Sequence, residues 1–174
     1  SAIEATRALA ASNQFNPREI SGIDIYVDKG HLRVCNIQEP KSGLEAKFSL
    51  RLTAAMALCS LDTAAIDLFD DAITRDERLV GFRDKVTVHA HEQSRPETVV
   101  RISTGDGRTF EEAVNVAIPL RDLDLQWRKL TDKFMTLASP HLGESGAARL
   151  ADTCRNLESL SNTRELAAQT GGRT

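Results

Sequence analysis

Hydrophobic and polar positions at the start of the chain follow first a helical and then a two-residue period. Residues 2–12 are rich in alanine and predict a helix. In the next regular stretch Ile23, Ile25 and Val27 alternate with polar residues. Side chains two residues apart share one face of a strand, so residues 20–27 are predicted to form a half-buried strand.

A nearly continuous apolar stretch follows, from Ser42 to Leu58. Ser42 and Glu45 have the spacing of a capping box, in which both side chains satisfy free backbone donors at a helix start. Apolar residues then occupy nearly every side of the predicted helix, which is typical of a buried helix. A chain this short can bury such a helix only against a sheet or a partner surface.

The remaining elements follow from the same two periods. Strands are predicted over residues 32–35, 85–92, 98–104 and 108–116, and helices over residues 63–73, 76–84, 120–139, 147–160 and 162–169. Gly105-Asp-Gly107 between the last two strands is typical of a hairpin turn. Pro140 is expected to stop the long helix, before a loop at residues 143–146.

This order of elements predicts an α+β fold. We expect an antiparallel or mixed sheet of about four strands packed against helices, followed by C-terminal helices. The predicted division is an α+β domain at residues 1–119, C-terminal helices at residues 120–170, and a disordered tail at residues 171–174. The C-terminal helices are expected to pack on the first domain or on a helical domain outside this chain.

Composition excludes several classes of function. The net charge of -3 argues against a general nucleic-acid binder, because neutralising phosphates requires an excess of clustered Lys and Arg. No apolar run approaches the length of a membrane span, so no membrane partner is expected. Cys35, Cys59 and Cys154 are widely spaced and form no zinc motif, which predicts no metal site and a reducing, cytoplasmic location.

Two cations interrupt the apolar helix near its start. Lys47 and Arg51 are four residues apart, so they would share one helix face. Two cations beside the positive end of a helix make a plausible binding site for carboxylates. The alternative is that both point to solvent or pair with acids such as Glu45.

The histidines and paired acids indicate no second site. His89 and His91 would share one strand face and could hold a metal, but no third ligand stands out, so a solvated sheet face or an interface is favoured. No nucleophile elbow, phosphate loop or dinucleotide fingerprint occurs. The other candidates are interpreted as surface or core residues: His31, His141, Asp70, Asp71, Asp122, Asp124 and Trp127.

The segment Leu44-Glu-Ala-Lys-Phe-Ser-Leu50, followed by small apolar residues, resembles a signature of the MmgE/PrpD family. Members of that family include dehydratases, decarboxylases and epimerases of small polycarboxylic acids. Further segments resemble the family in order and spacing: Phe69–Ile73, Lys85–Val88, Pro96, Asp106-Gly107, Lys133-Phe134 and Leu157-Glu158.

The resemblance implies a two-part enzyme, with a larger all-helical domain, a smaller α/β lid and the active site between them. This chain would be the lid with its C-terminal helices. Most acid and base residues of the family lie on the helical domain, so no catalytic residue is assigned here and the isolated chain is expected to be inactive. The resemblance implies no cofactor, and it implies substrate binding by Lys47, with Ser49, Asn36 and Arg51 as weaker candidates.

The expected function is therefore that of a lid fragment of a 2-methylcitrate dehydratase-like lyase or isomerase, which binds substrate carboxylates and closes the active site. Its expected partners are a small polycarboxylate, the missing N-terminal helical domain and a second copy of the chain. The alternative is a non-catalytic binding or dimerisation module that reuses the same fold.

Overall fold

The helices and strands come from a computed structural model, which describes residues 1–12 and 14–171. The predicted disordered tail lies, apart from Gly171, outside the described residues. The strands are β1 (Ile20–Val27), β2 (Val86–Ala90), β3 (Thr98–Thr104) and β4 (Thr109–Val114). The helices are α1 (Ala2–Ala11), α2 (Gly43–Ala46), α3 (Leu50–Leu58), α4 (Glu77–Arg83), α5 (Leu123–Leu142), α6 (Glu144–Arg155) and α7 (Thr163–Thr170). Short 3-10 helices lie at Pro17–Glu19, His31–Arg33, Ile66–Leu68, Ile73–Arg75 and Leu157–Ser159.

The four strands form one mixed sheet in the order β2-β1-β3-β4. β1 and β2 are parallel, whereas β1–β3 and β3–β4 are antiparallel. Ile23 lies opposite Val86 on one side and Ile102 on the other, and all three are buried. The predicted α+β class with a mixed sheet is thus confirmed. The predicted hairpin between β3 and β4 is also present, and its Gly107 has a φ of 85°, which favours glycine.

The buried face of the sheet packs against α1 and α3. Inward-facing residues of the strands meet small residues of the two helices, because alternate side chains of a strand share one face. This first core cluster is fully or nearly fully buried and consists of Ala2, Ala5, Leu9, Ile20, Ile23, Ile25, Val27, Ala54, Leu58, Val86, Val100 and Ile102.

Helix α3 lies between two apolar clusters, which explains why it is apolar nearly all round. Ala54 and Leu58 belong to the cluster under the sheet. Its other side contributes to a second cluster, made of Ala46, Leu52, Ala55, Met56, Cys59, Ile73 and Leu79. The second cluster is closed by α4 and the 3-10 turn before it, so no partner surface is needed to bury α3.

The predicted single helix from Ser42 to Leu58 is wrong, because two helices with separate caps occupy this stretch. The Ser42 hydroxyl accepts from the Glu45 N–H at 3.3 Å, as predicted, but the Glu45 carboxylate accepts from the Lys41 N–H at 2.6 Å instead of the N–H of Ser42. Ser49 begins the second helix, with its hydroxyl accepting from the Leu52 N–H at 3.2 Å.

Four other predicted features differ from the structure. Residues 32–35 form no strand, because the Cys35 N–H bonds to the His31 carbonyl at 2.8 Å around a 3-10 turn. Residues 63–73 form no α-helix but contain the 3-10 helix Ile66–Leu68 and the first residue of the 3-10 helix Ile73–Arg75. Pro140 lies inside α5, where only two residues follow it, and Gly143 ends the helix with a φ of 71°. The expected loop at 143–146 is the start of α6.

The chain forms two compact units. One comprises Ser1–Thr63 and Asp67–Pro119, and the other comprises Ala64–Ile66 and the residues from Leu120 onward. In the second unit α6 packs against α5 and α7, and Arg155 lies over the Trp127 ring at 5.6 Å. Among the described residues, no helix combines the length and apolar character that crossing a membrane requires.

Candidate functional site

Two of the four predicted binding residues lie directly opposite each other. Asn36 and Ser49 form an isolated antiparallel bridge. On either side of it the Ile37 N–H donates to the Phe48 carbonyl at 3.2 Å and the Leu50 N–H donates to the Cys35 carbonyl at 3.0 Å. The bridge explains why the helix is interrupted between α2 and α3, because the backbone at Ser49 is extended where it pairs with Asn36.

Ser49 is buried, with 1% of its surface exposed, and acts as the N-cap of α3. Its hydroxyl accepts from the Leu52 N–H, and its carbonyl accepts from the Thr53 hydroxyl at 2.9 Å. Asn36 is half-buried, and its side-chain oxygen is buried without a hydrogen-bond partner among the described residues. Both side chains thus lie at the start of α3, where the helix dipole favours negative charge.

Arg51 points back to the sheet. Its Nη1 donates a hydrogen bond to the Val86 carbonyl. Successive carbonyls of a strand point to opposite edges. Because the Lys85 carbonyl accepts from the Ile23 N–H of β1, the Val86 carbonyl faces the other edge of β2, where no strand of the described residues pairs with it. The buried Nε of Arg51 has no partner in the part of the chain that the structure describes. This geometry favours a structural role for Arg51, and its assignment to substrate binding stays a prediction.

Lys47 lies in the exposed link between α2 and α3, rather than on a helix face shared with Arg51. Its ammonium forms no ion pair within the described ranges, and it lies 5.7 Å from the centre of the Phe69 ring. Glu45, the predicted alternative partner, instead accepts the backbone N–H of Lys41. Lys47 is thus a positive charge near the start of α3 with its hydrogen-bond donors free for a ligand.

The loop that carries Phe69 is tightly joined to the start of α2. The Gly43 N–H donates to the Asp71 carboxylate at 2.9 Å, and the Asp70 carboxylate accepts from the Ile73 N–H at 2.9 Å. A Cβ at position 43 would lie only 2.0 Å from the Phe69 carbonyl oxygen. Asp70 and Asp71 are exposed, as predicted, but they lie in a loop instead of the predicted helix at residues 63–73, and their carboxylates accept backbone N–H groups there.

The predicted histidine pair lies on the outer face of the sheet, half-buried and on one side as expected. His89 Nε2 lies 2.6 Å from the Asp24 carboxylate, and the His91 Nε2–H donates to the Glu97 carbonyl at 2.9 Å. Both rings stack on Tyr26, with centroid distances of 4.8 Å and 6.2 Å. No group of three or more His, Cys, Asp or Glu residues suited to a metal occurs among the described residues.

The other predicted surface residues have structural partners or are exposed. Asp122 caps α5 by accepting the Leu125 N–H at 2.9 Å, and Asp124 lies 3.6 Å from Arg155. The cysteines are unpaired, and burial raises the pKa of the Cys59 thiol against the opposing effect of Arg78. His31 and His141 are exposed.

Sequence reasoning missed two residues at this site, Phe69 and Gly43. Glycine is a poor helix former, so its place at the first position of α2 was a signal of close contact with another backbone. Phe69 offered no such signal, because its contact with Lys47 joins two segments through the tertiary fold.

The MmgE/PrpD C-terminal domain matches residues 1–159, which cover most of the chain. The comparison with curated proteins gives no match. The match includes all four predicted binding residues and the whole mixed sheet. The chain therefore belongs to the MmgE/PrpD family, whose C-terminal domain it carries.

Proposed function

We propose that this chain is the lid of a lyase or isomerase that acts on small polycarboxylic acids, similar to 2-methylcitrate dehydratase. In this proposal Lys47 binds a substrate carboxylate at the start of α3. Asn36 and Ser49 shape the backbone around it, and Arg51 secures α3 to the sheet. The acid and base residues are supplied by a helical domain outside this chain, which closes against the lid.

The observation that carries this proposal is the ammonium of Lys47, which is exposed and forms no ion pair with any described residue. The other lysine of this segment is already engaged, because Lys41 pairs with Glu39 at 3.1 Å. Arg51 is likewise engaged, at the Val86 carbonyl. A carboxylate that approaches Lys47 therefore gains a charge-assisted hydrogen bond without breaking an existing ion pair.

The chemistry of the family's substrates is consistent with a lid that binds the carboxylate and a helical domain that moves the protons. Removing a proton from carbon next to a carboxylate creates negative charge, which a nearby cation stabilises. Closing a lid over the substrate excludes water and strengthens that attraction. A lid can thus contribute charge and cover while it holds no catalytic base.

Apolar side chains beside the site support the covering role. Val34 is 60% exposed and Leu44 is 68% exposed, and both belong to the segments that surround Lys47 and the Asn36–Ser49 bridge. Exposed aliphatic side chains around a polar centre are common where a surface is buried on closure. We propose the helical domain as the surface that covers them.

The test is a citrate titration of the chain at low ionic strength, followed by amide chemical shifts in NMR spectra. We expect shifts to concentrate at Asn36, Lys47 and Ser49. Lys47→Ala should weaken citrate binding about three- to tenfold, which corresponds to about 0.7–1.4 kcal/mol for one exposed charge-assisted contact.

Lys41→Ala is the matched control, because it removes one lysine from the same segment but one whose charge is already paired with Glu39. It should leave citrate binding within about twofold of the original chain. Equal loss in both variants would mean that citrate senses only overall charge, and unchanged binding in Lys47→Ala would remove the lysine from the proposal. Turnover of tri- and dicarboxylates by the lid joined to its helical domain should fall with the same substitution.

A dimerisation role is the second candidate, and exposed leucines on α5 favour it. Leu123 is 72% exposed and Leu130 is 57% exposed, and with Trp127 they occupy positions of helical spacing that form one apolar stripe along α5. We propose a homodimer that buries this stripe. Light scattering over a range of protein concentrations should show association that Leu130→Lys abolishes, and a monomer at every concentration would refute it.

A further inference from the structure

We propose that Phe69 is a positioning residue for Lys47, an inference that rests on the proposed function of Lys47 as the carboxylate ligand. The Phe69 ring holds the ammonium in place, and the loop that carries the ring is fixed to α2. Phe69 thereby acts on the substrate only through the lysine.

The contact suits a ligand-binding lysine for a chemical reason. The Lys47 Nζ lies 5.7 Å from the ring centre, within the range in which an aromatic face attracts a cation. A carboxylate of the protein paired with Lys47 would cancel the charge of the ammonium and would occupy the hydrogen-bond donors that the substrate needs. A ring face attracts the cation but leaves its charge uncancelled, so the ammonium stays available to an incoming anion.

The ring itself has a defined position. Phe69 is half-buried and packs against the second core cluster, beside Leu68. Its carbonyl oxygen abuts Gly43, at a distance that leaves no room for a Cβ there. The bond from the Gly43 N–H to Asp71 locks the same loop to the same end of α2.

These contacts hold the Phe69 loop against both ends of α2. Gly43 begins α2 and Lys47 follows its last residue, so the loop touches the short helix at its start through the backbone and at its end through the ring. A long lysine side chain otherwise samples many rotamers, and each rotamer fixed on binding costs affinity. Contact with a fixed ring restricts the rotamers of Lys47 in the free protein, so less conformational entropy is lost when the substrate binds.

The experiment compares Phe69→Leu and Phe69→Tyr in the whole chain, with citrate as the probe. Phe69→Leu removes the aromatic face, and citrate binding should weaken about two- to fivefold. Phe69→Tyr keeps the face and should restore binding to the original level. Phe48→Leu is the matched control, since Phe48 is 41% exposed in the same segment and its ring makes no cation–π contact with Lys47 among the described residues.

A direct readout separates positioning from loss of structure. Ring currents should shift the Lys47 Hε signals upfield in the original chain and in Phe69→Tyr, and the shift should vanish in Phe69→Leu while Phe48→Leu retains it. Absence of the upfield shift in the original chain overturns the inference. The inference is also overturned if the Phe69→Leu variant binds citrate as well as the original chain does, or if the Phe69→Tyr variant binds citrate more weakly than the original chain.

The two proposals fail in different ways. If Lys47→Ala leaves citrate binding unchanged, the proposed function itself is wrong. If Lys47→Ala weakens binding but Phe69→Leu does not, Lys47 keeps its role and only the positioning by Phe69 is lost.

Discussion

Replacing Gly43 with alanine tests how α2 is held against the neighbouring loop. The added Cβ would lie 2.0 Å from the Phe69 carbonyl oxygen, 2.5 Å from its carbon and 2.8 Å from the Asp70 Cα. All three are backbone atoms, so no side-chain rotation relieves the overlap. The loop or the helix must move, and the bond from the Gly43 N–H to Asp71 is then lost or lengthened.

The expected loss of stability is about 2–4 kcal/mol. Overpacking in a well-filled contact costs about 1–3 kcal/mol, and a lost hydrogen bond to a charged group costs about 1.5–3 kcal/mol. Alanine is a better helix former than glycine by about 1 kcal/mol, which offsets part of the loss. For a unit of this size the melting temperature should fall by about 5–15 °C.

Gly81→Ala is the matched control, because Gly81 lies within α4 and an added Cβ would meet no atom within 4 Å. It should stabilise the chain by about 0.5–1 kcal/mol, the opposite sign. Urea unfolding followed at Tyr26 is the suitable assay, since the single tyrosine lies in the unit that contains Gly43, whereas the single tryptophan, Trp127, lies in the other. Equal stability of Gly43→Ala and the original chain would refute the close contact at Phe69.

Two further predictions concern titrating side chains. Hydrogen bonds from the Thr104 hydroxyl and from Arg108 lower the pKa of Asp106 to about 2, from its ordinary value of 3.8. The ionised carboxylate therefore stabilises the hairpin turn fully above about pH 4, and this stabilisation is lost as the pH falls towards 2. The amide chemical shift of Gly107 should titrate with a midpoint near pH 2, and a midpoint at or above 3.8 would contradict this prediction. Burial raises the pKa of the Cys59 thiol, so Ellman's reagent should modify the exposed Cys154 first and Cys59 only on unfolding. In the variant Cys35→Ser/Cys154→Ser the one remaining thiol is that of Cys59, and its rapid modification in the folded protein would contradict this prediction.

Local sequence signals predicted the sheet well. The alternation at Ile23, Ile25 and Val27 predicted both β1 and its buried face, and Gly105-Asp-Gly107 predicted the β3–β4 hairpin. These features succeed because a strand with one buried face records its orientation in every second residue. The helix predicted at residues 76–84 is likewise present as α4, and the carboxylate of its N-cap Asp76 accepts from the N–H groups of Arg78 and Leu79.

The break between α2 and α3 needed information from a distant segment. The apolar residues before and after residues 47–49 fit one continuous helix, and nothing in the local pattern interrupts it. The backbone leaves the helical conformation at Ser49 because Ser49 pairs with Asn36. Ser49 caps α3 as Ser42 caps α2, but no local pattern at Ser49 marks the start of a second helix. The same limit applies to the candidate site, where the sequence indicated Lys47 as a cation but the ring beneath it comes from more than twenty residues further on.

The parallel pairing of β1 with β2 joins residues that lie far apart along the chain. Ile23 must meet Val86 about sixty residues later, and closing so long a loop is entropically costly and slow. Lys47, Ser49 and Phe69 all lie within that loop. We therefore expect that a substitution that slows the pairing of β2 with β1 also slows the appearance of the citrate binding proposed for Lys47.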